Sequence, residues 1–188
     1  MKNAWLFCLA LCLAITGYSQ GVFSNQTNFI LEKVVQEYST QFAGIKGKPL
    51  PAAADPSFAS TLSIPGAIST TIIESTQKEK PAHCWQSVLF ANDNFGTASA
   101  KFETLFNQIR NTIIKPVDEK PVIVNGLFVR PSQDKLWTTI QFDMLPPSGI
   151  AQKLNIDLVL YHRQTQWEII LTVYDKERTA NGALAVSP

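Results

Sequence analysis

The segment Leu154–Tyr174, LNIDLVLYHRQTQWEIILTVY, decides the fold of this protein. In both of its halves apolar side chains fall on every second position, and a short polar stretch separates the halves. Alternation with a period of two is typical of a β-strand with one buried face. Matching the apolar faces pairs Leu160 with Trp167 and predicts an antiparallel hairpin with residues 162–165 as its loop.

The same alternation continues towards the N-terminus. Two further stretches, Val122–Val129 and Trp137–Met144, are rich in β-branched and aromatic residues. With the hairpin they predict four consecutive strands within residues 122–174. Consecutive strands joined by short loops usually pair with one another, so this part of the chain is expected to form a four-stranded β-meander.

Two amphipathic helices are predicted outside this meander. Apolar residues recur at three- and four-residue steps in residues 28–45, which Thr27 or Asn28 would cap, and again in residues 98–114, which Thr97 or Ser99 would cap. The apolar stripe of the first helix comprises Phe29, Leu31, Val34, Val35, Tyr38, Phe42 and Ile45. The stripe of the second comprises Ala98, Phe102, Leu105, Phe106, Ile109 and Ile113.

Residues between the two helices are predicted to form a linker followed by strands. The three prolines of residues 46–57 argue against a regular element there. Residues 61–90 are rich in β-branched residues and are expected to contain two or three strands, with a turn at Pro65 and Gly66. The sequence therefore predicts an α+β fold with two helices packed on one face of an antiparallel sheet that ends in the meander.

The N-terminal residues 1–19 have the features of a cleavable signal peptide. Lys2 precedes an apolar stretch that is too short to span a bilayer, and Gly17 and Ser19 form a small-residue cleavage site. Cleavage there would leave residues 20–188 as a single soluble domain, whereas cleavage after Gly21 is the alternative. A lipid anchor at Cys12 is disfavoured because the bulky Leu11 precedes it. The protein is thus expected to be periplasmic or extracellular, without a membrane anchor.

Charge and cysteine content limit the classes of partner and of fold. Of 16 Lys and Arg in the whole chain only Lys2 lies in the signal peptide, so the mature domain has 15 basic against 15 acidic residues. The basic residues are scattered, which disfavours nucleic acid as a partner. Cys84 is the only cysteine outside the signal peptide. An internal disulfide is therefore impossible, and the hydrophobic core must hold the fold.

Motifs for metal, nucleotide or nucleophilic chemistry are weak or missing. The two histidines and Cys84 lack the spacing of zinc ligands. Residues 92–96 lack the spaced acids of a calcium loop, and neither a phosphate-binding loop nor a G-x-S-x-G elbow occurs. His83 and Cys84 would point to opposite strand faces, so His162 would have to serve the thiol. We expect no cofactor and no metal, a surface His83, and a Cys84 that Val88 and Phe90 help to bury against a helix.

The second face of the C-terminal sheet mixes aromatic with polar side chains and is the candidate binding surface. Aromatic rings stack on a ligand while neighbouring polar groups form hydrogen bonds, which suits a glycan, another small ligand or a peptide of a protein partner. The candidate ligand-binding residues are Trp137, Gln141, Asp143, Asp157, Tyr161, Glu168 and Tyr174. An ordinary solvated sheet face has a similar composition. As an alternative, Asp143, Asp157 and Glu168 could supply the acid and base of a glycosidase.

Three segments resemble small exported bacterial proteins of unknown function. They are Ile64–Ala67, the strand Trp85–Phe90 with the helical stretch Phe102–Ile109, and the closing Trp167–Asp175. The resemblance implies an envelope protein of similar plan and implies no functional residue. Together with the candidate surface it suggests an exported, non-enzymatic binding domain, with a hydrolase that uses the acidic face or Cys84 as the alternative.

Cleavage of the signal peptide gives the first testable prediction. Because the apolar stretch is short and ends at Gly17 and Ser19, the exported protein should begin at Gln20 and should not partition into detergent. Intact-mass measurement of the protein from its native host tests this. Retention of residues 1–19, or an acyl chain on Cys12, would contradict the prediction.

Overall fold

A computed structural model describes residues 19–51, 55–75 and 82–176 of the chain. In these ranges the chain forms two helices and nine strands of one antiparallel sheet, so the α+β class is confirmed. The helices are α1 (Ser19–Glu37) and α2 (Phe95–Ile109). The strands are β1 (Lys46–Pro49), β2 (Ser57–Ser60), β3 (Ser69–Ser75), β4 (Ala82–Asn92), β5 (Ile113–Ile114), β6 (Val122–Asn125), β7 (Trp137–Leu145), β8 (Leu154–Arg163) and β9 (Gln166–Asp175).

The order of strands across the sheet is β1-β2-β3-β4-β9-β8-β7-β6-β5, and every neighbouring pair is antiparallel. Each strand pairs with its sequence neighbour except at the centre, where β4 pairs with β9. Strand β9 thereby joins β1–β4 to β5–β8. A helix crossing, α2, connects β4 to the far edge of the sheet.

The β8–β9 hairpin has a different register from the predicted one. Leu160 lies opposite Ile169 rather than Trp167, and the turn consists of residues 164–165. Gln164 adopts φ 54°, a left-handed conformation that closes a short turn. The predicted pairing is thus wrong by two positions. The apolar faces still coincide, because a shift of two residues keeps each side chain on the same face.

Helix α1 begins and ends before the predicted bounds of 28–45. It starts at Ser19 and stops at Glu37, so Thr27 lies inside the helix, buried, rather than at its cap. The chain then leaves through two short 3₁₀ turns, with Gln41 and Phe42 at φ 55° and 61°. Both are non-glycine residues in the left-handed conformation, which is uncommon, and Phe42 is fully buried.

The segments between the helices also differ from the predicted ones. Residues 46–57 are not all linker, because Lys46–Pro49 forms β1 and pairs with β2. Within residues 61–90, positions 61–68 lie outside the strands, and Gly66 at φ 81° occupies the expected turn. Proline disrupts a strand only where its missing N–H would have bonded to a neighbouring strand. Because β1 is an edge strand, Pro49 is tolerated there.

Helix α2 spans residues 95–109 rather than 98–114. Asn94 is its cap, since the Asn94 side chain accepts a hydrogen bond from the Thr97 amide at 2.9 Å. The chain turns at Asn111, where φ is 67°, and Ile113 is exposed in β5 instead of extending the helical stripe. The rest of the predicted stripe is buried as expected: Ala98, Phe102, Leu105, Phe106 and Ile109.

The buried core cluster includes residues of both helices and even-numbered residues of β7 and β8. Phe106 packs against Phe142 with ring centroids 5.8 Å apart, and Phe95 meets Trp167 edge-on at 4.9 Å. Leu31 and Val34 of α1 belong to the same buried cluster. None of the helices in the described ranges is long and apolar enough to cross a membrane. The predicted signal peptide, residues 1–19, lies outside the described residues except for Ser19, where α1 begins.

Truncation of the α2 stripe tests the core. Phe106→Ala removes a buried ring in contact with Phe142 and Phe128 and should lower the free energy of unfolding by about 3–5 kcal/mol. Asn107→Ala, its exposed neighbour, should change it by less than about 0.5 kcal/mol. Urea denaturation of both variants measures this. Equal small losses would contradict the packing described here.

Candidate functional site

The predicted binding residues divide into three groups by exposure. Trp137, Gln141 and Asp143 are exposed along β7. Tyr161 and Glu168 are half-buried and form a row with Trp137 across β7, β8 and β9.

The other two, Asp157 and Tyr174, are 5% and 2% exposed, so the expectation of a solvated face is wrong for them. They lie on central strands, where neighbouring strands flank them on both sides. Only the β7 residues stand beside a gap in the sheet.

Two adjoining cavities follow the outer side of β7, where β6 has already ended. We call them together the β7 groove; they measure about 510 Å³ and 340 Å³ and share Val129 and Thr139. The first is lined by Val129, Lys135, Leu136, Trp137, Thr138 and Thr139. The second is lined by Asn125, Gly126, Leu127, Val129, Thr139, Ile140, Gln141 and Asp143. Volumes of this size suit a small ligand or a few residues of a peptide.

The two ends of the β7 groove differ chemically. At one end Trp137, which is 60% exposed, stands beside Leu136 and Lys135. At the other end Gln141 and Asp143 offer amide and carboxylate groups. An exposed indole provides a stacking surface, and the polar end provides hydrogen bonds and a negative charge. The groove can therefore hold a ligand that is apolar at one end and polar or cationic at the other.

The outer wall of the groove is the segment that follows β6. Gly126 approaches β7 so closely that a Cβ there would lie 2.9 Å from the Phe142 ring. Phe128 is held by the rings of Phe102 and Phe106, at 6.4 Å and 5.2 Å. The residues on either side of Phe128 are left outside, and Leu127 is 86% exposed.

Sequence reasoning missed this wall because it extended the strand to Val129. The strand ends at Asn125 instead. The dipeptide Asn125–Gly126, a common turn signal, was the feature that could have revealed the break. Alternation alone could not, since residues 127–129 keep the apolar pattern of a strand.

Asp157 and Tyr174 form a buried pair beside the groove. The Tyr174 hydroxyl donates to Asp157 Oδ2 at 2.7 Å, whereas Asp157 Oδ1 has no hydrogen-bond partner among the described residues. Burial raises the pKa of Asp157 above 3.8, and the hydrogen bond from Tyr174 opposes this only in part. Burial, with the nearby Asp157 charge, also raises the pKa of Tyr174. Residue Gln141 is not part of this pair, because its amide donates to Asn155 at 3.0 Å.

The three carboxylates proposed for a glycosidase do not gather at one point. Asp157 lies opposite Thr172, four residues from Glu168 on β9, so these two acids are about 13 Å apart along the strand. Asp143 and Asp157 are diagonal neighbours on β7 and β8, about 7–8 Å apart. Only the Asp143–Asp157 pair thus has a spacing compatible with paired acid and base chemistry.

Cys84 is fully buried, as expected, but it does not belong to the core cluster to which both helices contribute. Cys84 lies opposite Tyr174 on β9. The pairing of β4 with β9 is irregular between Val88 and Phe90, so Phe90 packs against the core whereas Cys84 and Val88 lie on the other face of the sheet. A bulge shifts the alternation by one residue, which the sequence pattern did not signal.

Neither histidine is placed to activate the Cys84 thiol. His83 is buried rather than at the surface and points to the opposite face, with its Nε2 3.6 Å from Glu74. His162 contacts Trp167. On β9, Trp167 is seven residues from Tyr174, the residue opposite Cys84, so His162 and Cys84 are separated by about 23 Å along the strand.

The described ranges contain no group of three or more His, Cys, Asp or Glu side chains that could hold a metal ion. Comparison of the chain with protein-family models, curated proteins and solved structures finds no match.

The pH dependence of unfolding tests the buried carboxyl. The pKa of Asp157 is higher in the folded than in the unfolded protein, so the folded state binds its proton more tightly. The resulting stabilisation is fully present below about pH 3.8 and is lost as the pH rises through the folded pKa. Asp157→Asn removes this titration, so the unfolding free energy of the variant should increase relative to that of the wild type as the pH rises. Denaturation series across the acidic and neutral range measure the difference. A parallel offset at every pH, or the same gain in Asp143→Asn, would contradict the assignment.

Proposed function

We propose that this chain is an exported, non-enzymatic binding domain whose β7 groove holds a small ligand or a segment of a protein partner. The observation that carries the proposal is Trp137, an exposed indole at the apolar end of a groove whose other end is polar. Large exposed aromatic residues beside a concave surface are characteristic of binding sites. The ligand would stack on Trp137 and form hydrogen bonds with Gln141 and Asp143.

The architecture in this proposal has both helices on one face of the sheet and the last four strands as a meander. Phe106 of α2 and Leu31 of α1 belong to one buried cluster with Phe142 of β7, which supports the first feature. The consecutive pairing of β6, β7, β8 and β9 supports the second. With the helices on the Phe142 side, the Trp137 side of β7 is left for a ligand, because successive residues of a strand face opposite sides.

Export is the second part of the proposal. The apolar stretch after Lys2 and the small residues Gly17 and Ser19 support a cleaved signal peptide, and with it a periplasmic or extracellular location. The equal numbers of acidic and basic residues in 20–188 support a partner other than nucleic acid. We further propose that the mature protein has no membrane anchor.

A hydrolase that uses Asp143 and Asp157 is the second candidate. Its support is the diagonal spacing of the two carboxyls, which lies in the range of inverting glycosidases, and the raised pKa of Asp157, as a general acid requires. The burial of Asp157, which lines neither cavity, favours binding over catalysis. Hydrolysis of a glycan by the wild type and its loss in Asp157→Asn would favour the hydrolase.

Substitution of Trp137 tests the binding role. Short peptides and chito-oligosaccharides are titrated into isotopically labelled protein, and shifted NMR signals should cluster at Trp137, Gln141 and Asp143. For any such ligand Trp137→Ala should weaken binding by at least about tenfold, equivalent to about 1.4 kcal/mol. Phe29→Ala is the matched control, because Phe29 is an exposed aromatic residue on α1, and it should bind normally. Unchanged affinity of Trp137→Ala would contradict the proposal.

A further inference from the structure

Strand β7 extends beyond its outer neighbour. The pairing of β6 with β7 covers only Asp143, Met144 and Leu145, whereas β8 pairs with β7 from Trp137 to Phe142. No described residue pairs as a strand with the outer side of β7 between 137 and 142. Such an edge presents backbone N–H and C=O groups that can pair with another strand.

The hydrogen-bond pattern identifies which backbone groups face outward. The amide of His162 donates to the carbonyl of Leu136 at 2.8 Å, so residue 136 points its backbone groups towards β8. Antiparallel pairing alternates along a strand, and residues 138, 140 and 142 therefore also face β8. It follows that Trp137, Thr139 and Gln141 direct their N–H and C=O groups to the outer side. The next position in this series, Asp143, is the one that lies opposite Asn125 of β6.

The outward groups open into the β7 groove. Residues 136–141 and Asp143 line the two cavities, and within the described ranges no backbone group bonds to the outward groups of Trp137, Thr139 or Gln141. The wall segment approaches this edge at Gly126, where an added Cβ would lie 3.2 Å from the carbonyl oxygen of Gln141. The groove therefore has backbone donors and acceptors along its inner side, in addition to the side chains described above.

The outer edges of the sheet are protected, in contrast to β7. Strand β1 is four residues long and carries Lys48 and Pro49, and β5 is two residues long and is followed by Lys115 and Pro116. Short length, lysine and proline are the usual features that prevent pairing between sheet edges. The open part of β7 has none of them between Trp137 and Gln141.

We propose that the ligand of the β7 groove is an extended peptide that adds to β7 as an antiparallel strand. This inference rests on the binding function proposed above and specifies the ligand class. Lys135 lies at one end of the open edge and Asp143 at the other. An antiparallel peptide places its amino end near Asp143 and its carboxyl end near Lys135, so both charged ends meet an opposite charge. Backbone bonds supply affinity, and alternate side chains meet Trp137 and Thr139.

The probe for this inference is a synthetic peptide with lysine at its amino end, alternating valine and threonine, and glutamate at its carboxyl end. Bound as proposed, it should slow the amide exchange of Trp137, Thr139 and Gln141, whereas the amides of Thr138 and Ile140 already bond to β8. The backbone nitrogens of the valines would face β7 in this arrangement. Methylating them removes the N–H groups that bond to β7 and should abolish binding.

A pair of variants at Thr139 provides the matched control. Thr139→Pro removes the outward N–H, and an edge position tolerates proline, whereas Thr139→Val keeps the N–H and changes only the side chain. We expect Thr139→Pro to bind the peptide at least about tenfold more weakly than Thr139→Val does, because both variants lose the hydroxyl and only the proline variant also loses the outward N–H. Circular dichroism identifies any variant that fails to fold. In that case the N-methylated peptide with wild-type protein remains the test.

Two results would overturn the inference without touching the binding role. One is peptide binding that survives N-methylation and leaves the three amides unprotected, because side chains alone would then hold the peptide. The other is binding of a chito-oligosaccharide that depends on Trp137 while the peptide does not bind at about 1 mM. Failure of every probe to shift the signals of the groove would instead contradict the proposed function itself.

Discussion

The antiparallel pairing of β4 with β9 is the contact on which the rest of the structure depends. These strands come from distant parts of the chain, and their pairing unites β1–β4 with β5–β9 in one sheet. Trp85 lies opposite Val173 there, and both are fully buried. Such long-range pairing must offset the entropy of closing a long loop. Large apolar side chains of this seam contribute to that, since Trp85, Leu171 and Val173 belong to the central core.

Polar contacts fix the end of this seam to α1. The Tyr38 hydroxyl, just after α1, bonds to the Asp175 carboxylate, which also accepts the backbone N–H of His83 at 2.8 Å. The adjacent Glu74 pairs with Lys46 of β1. These side chains join the end of α1, both central strands and the N-terminal edge, so they specify how the first helix meets the sheet. The buried apolar residues around them supply most of the stabilisation.

The β7 groove is a consequence of unequal strand lengths. Strand β6 ends at Asn125, Gly126 then passes close to the Phe142 ring, and Phe128 contacts the rings of Phe102 and Phe106 on α2. Within the described residues, β7 therefore has no outer strand partner beside Trp137, Thr139 and Gln141, whereas Ile140 and Phe142 on its other face remain packed in the core. A site made in this way has rigid strand backbone on one side and a loop on the other, which favours precise positioning of a bound ligand.

The sequence by itself determined the secondary-structure class, the faces of β7, β8 and β9 and most of the buried stripe of α2. Each of these follows from a local periodicity, as with Phe102 and Phe106 at helical spacing or Leu158 and Leu160 at strand spacing. It also indicated Trp137, Gln141 and Asp143 as candidates, because alternation places them together on one face.

Only the tertiary structure decided which candidates a ligand could reach and where the sheet is open. Asp157 and Tyr174 alternate in the same way as Gln141, yet they are buried while Gln141 is exposed, since burial depends on neighbours that are remote in sequence. The bulge before Phe90 moved Cys84 away from the helices, and no local pattern marked it. The open edge of β7 likewise depends on where β6 ends, at Asn125, because residues 127–129 keep the alternating pattern of a strand and only the pairing of the folded chain shows the break.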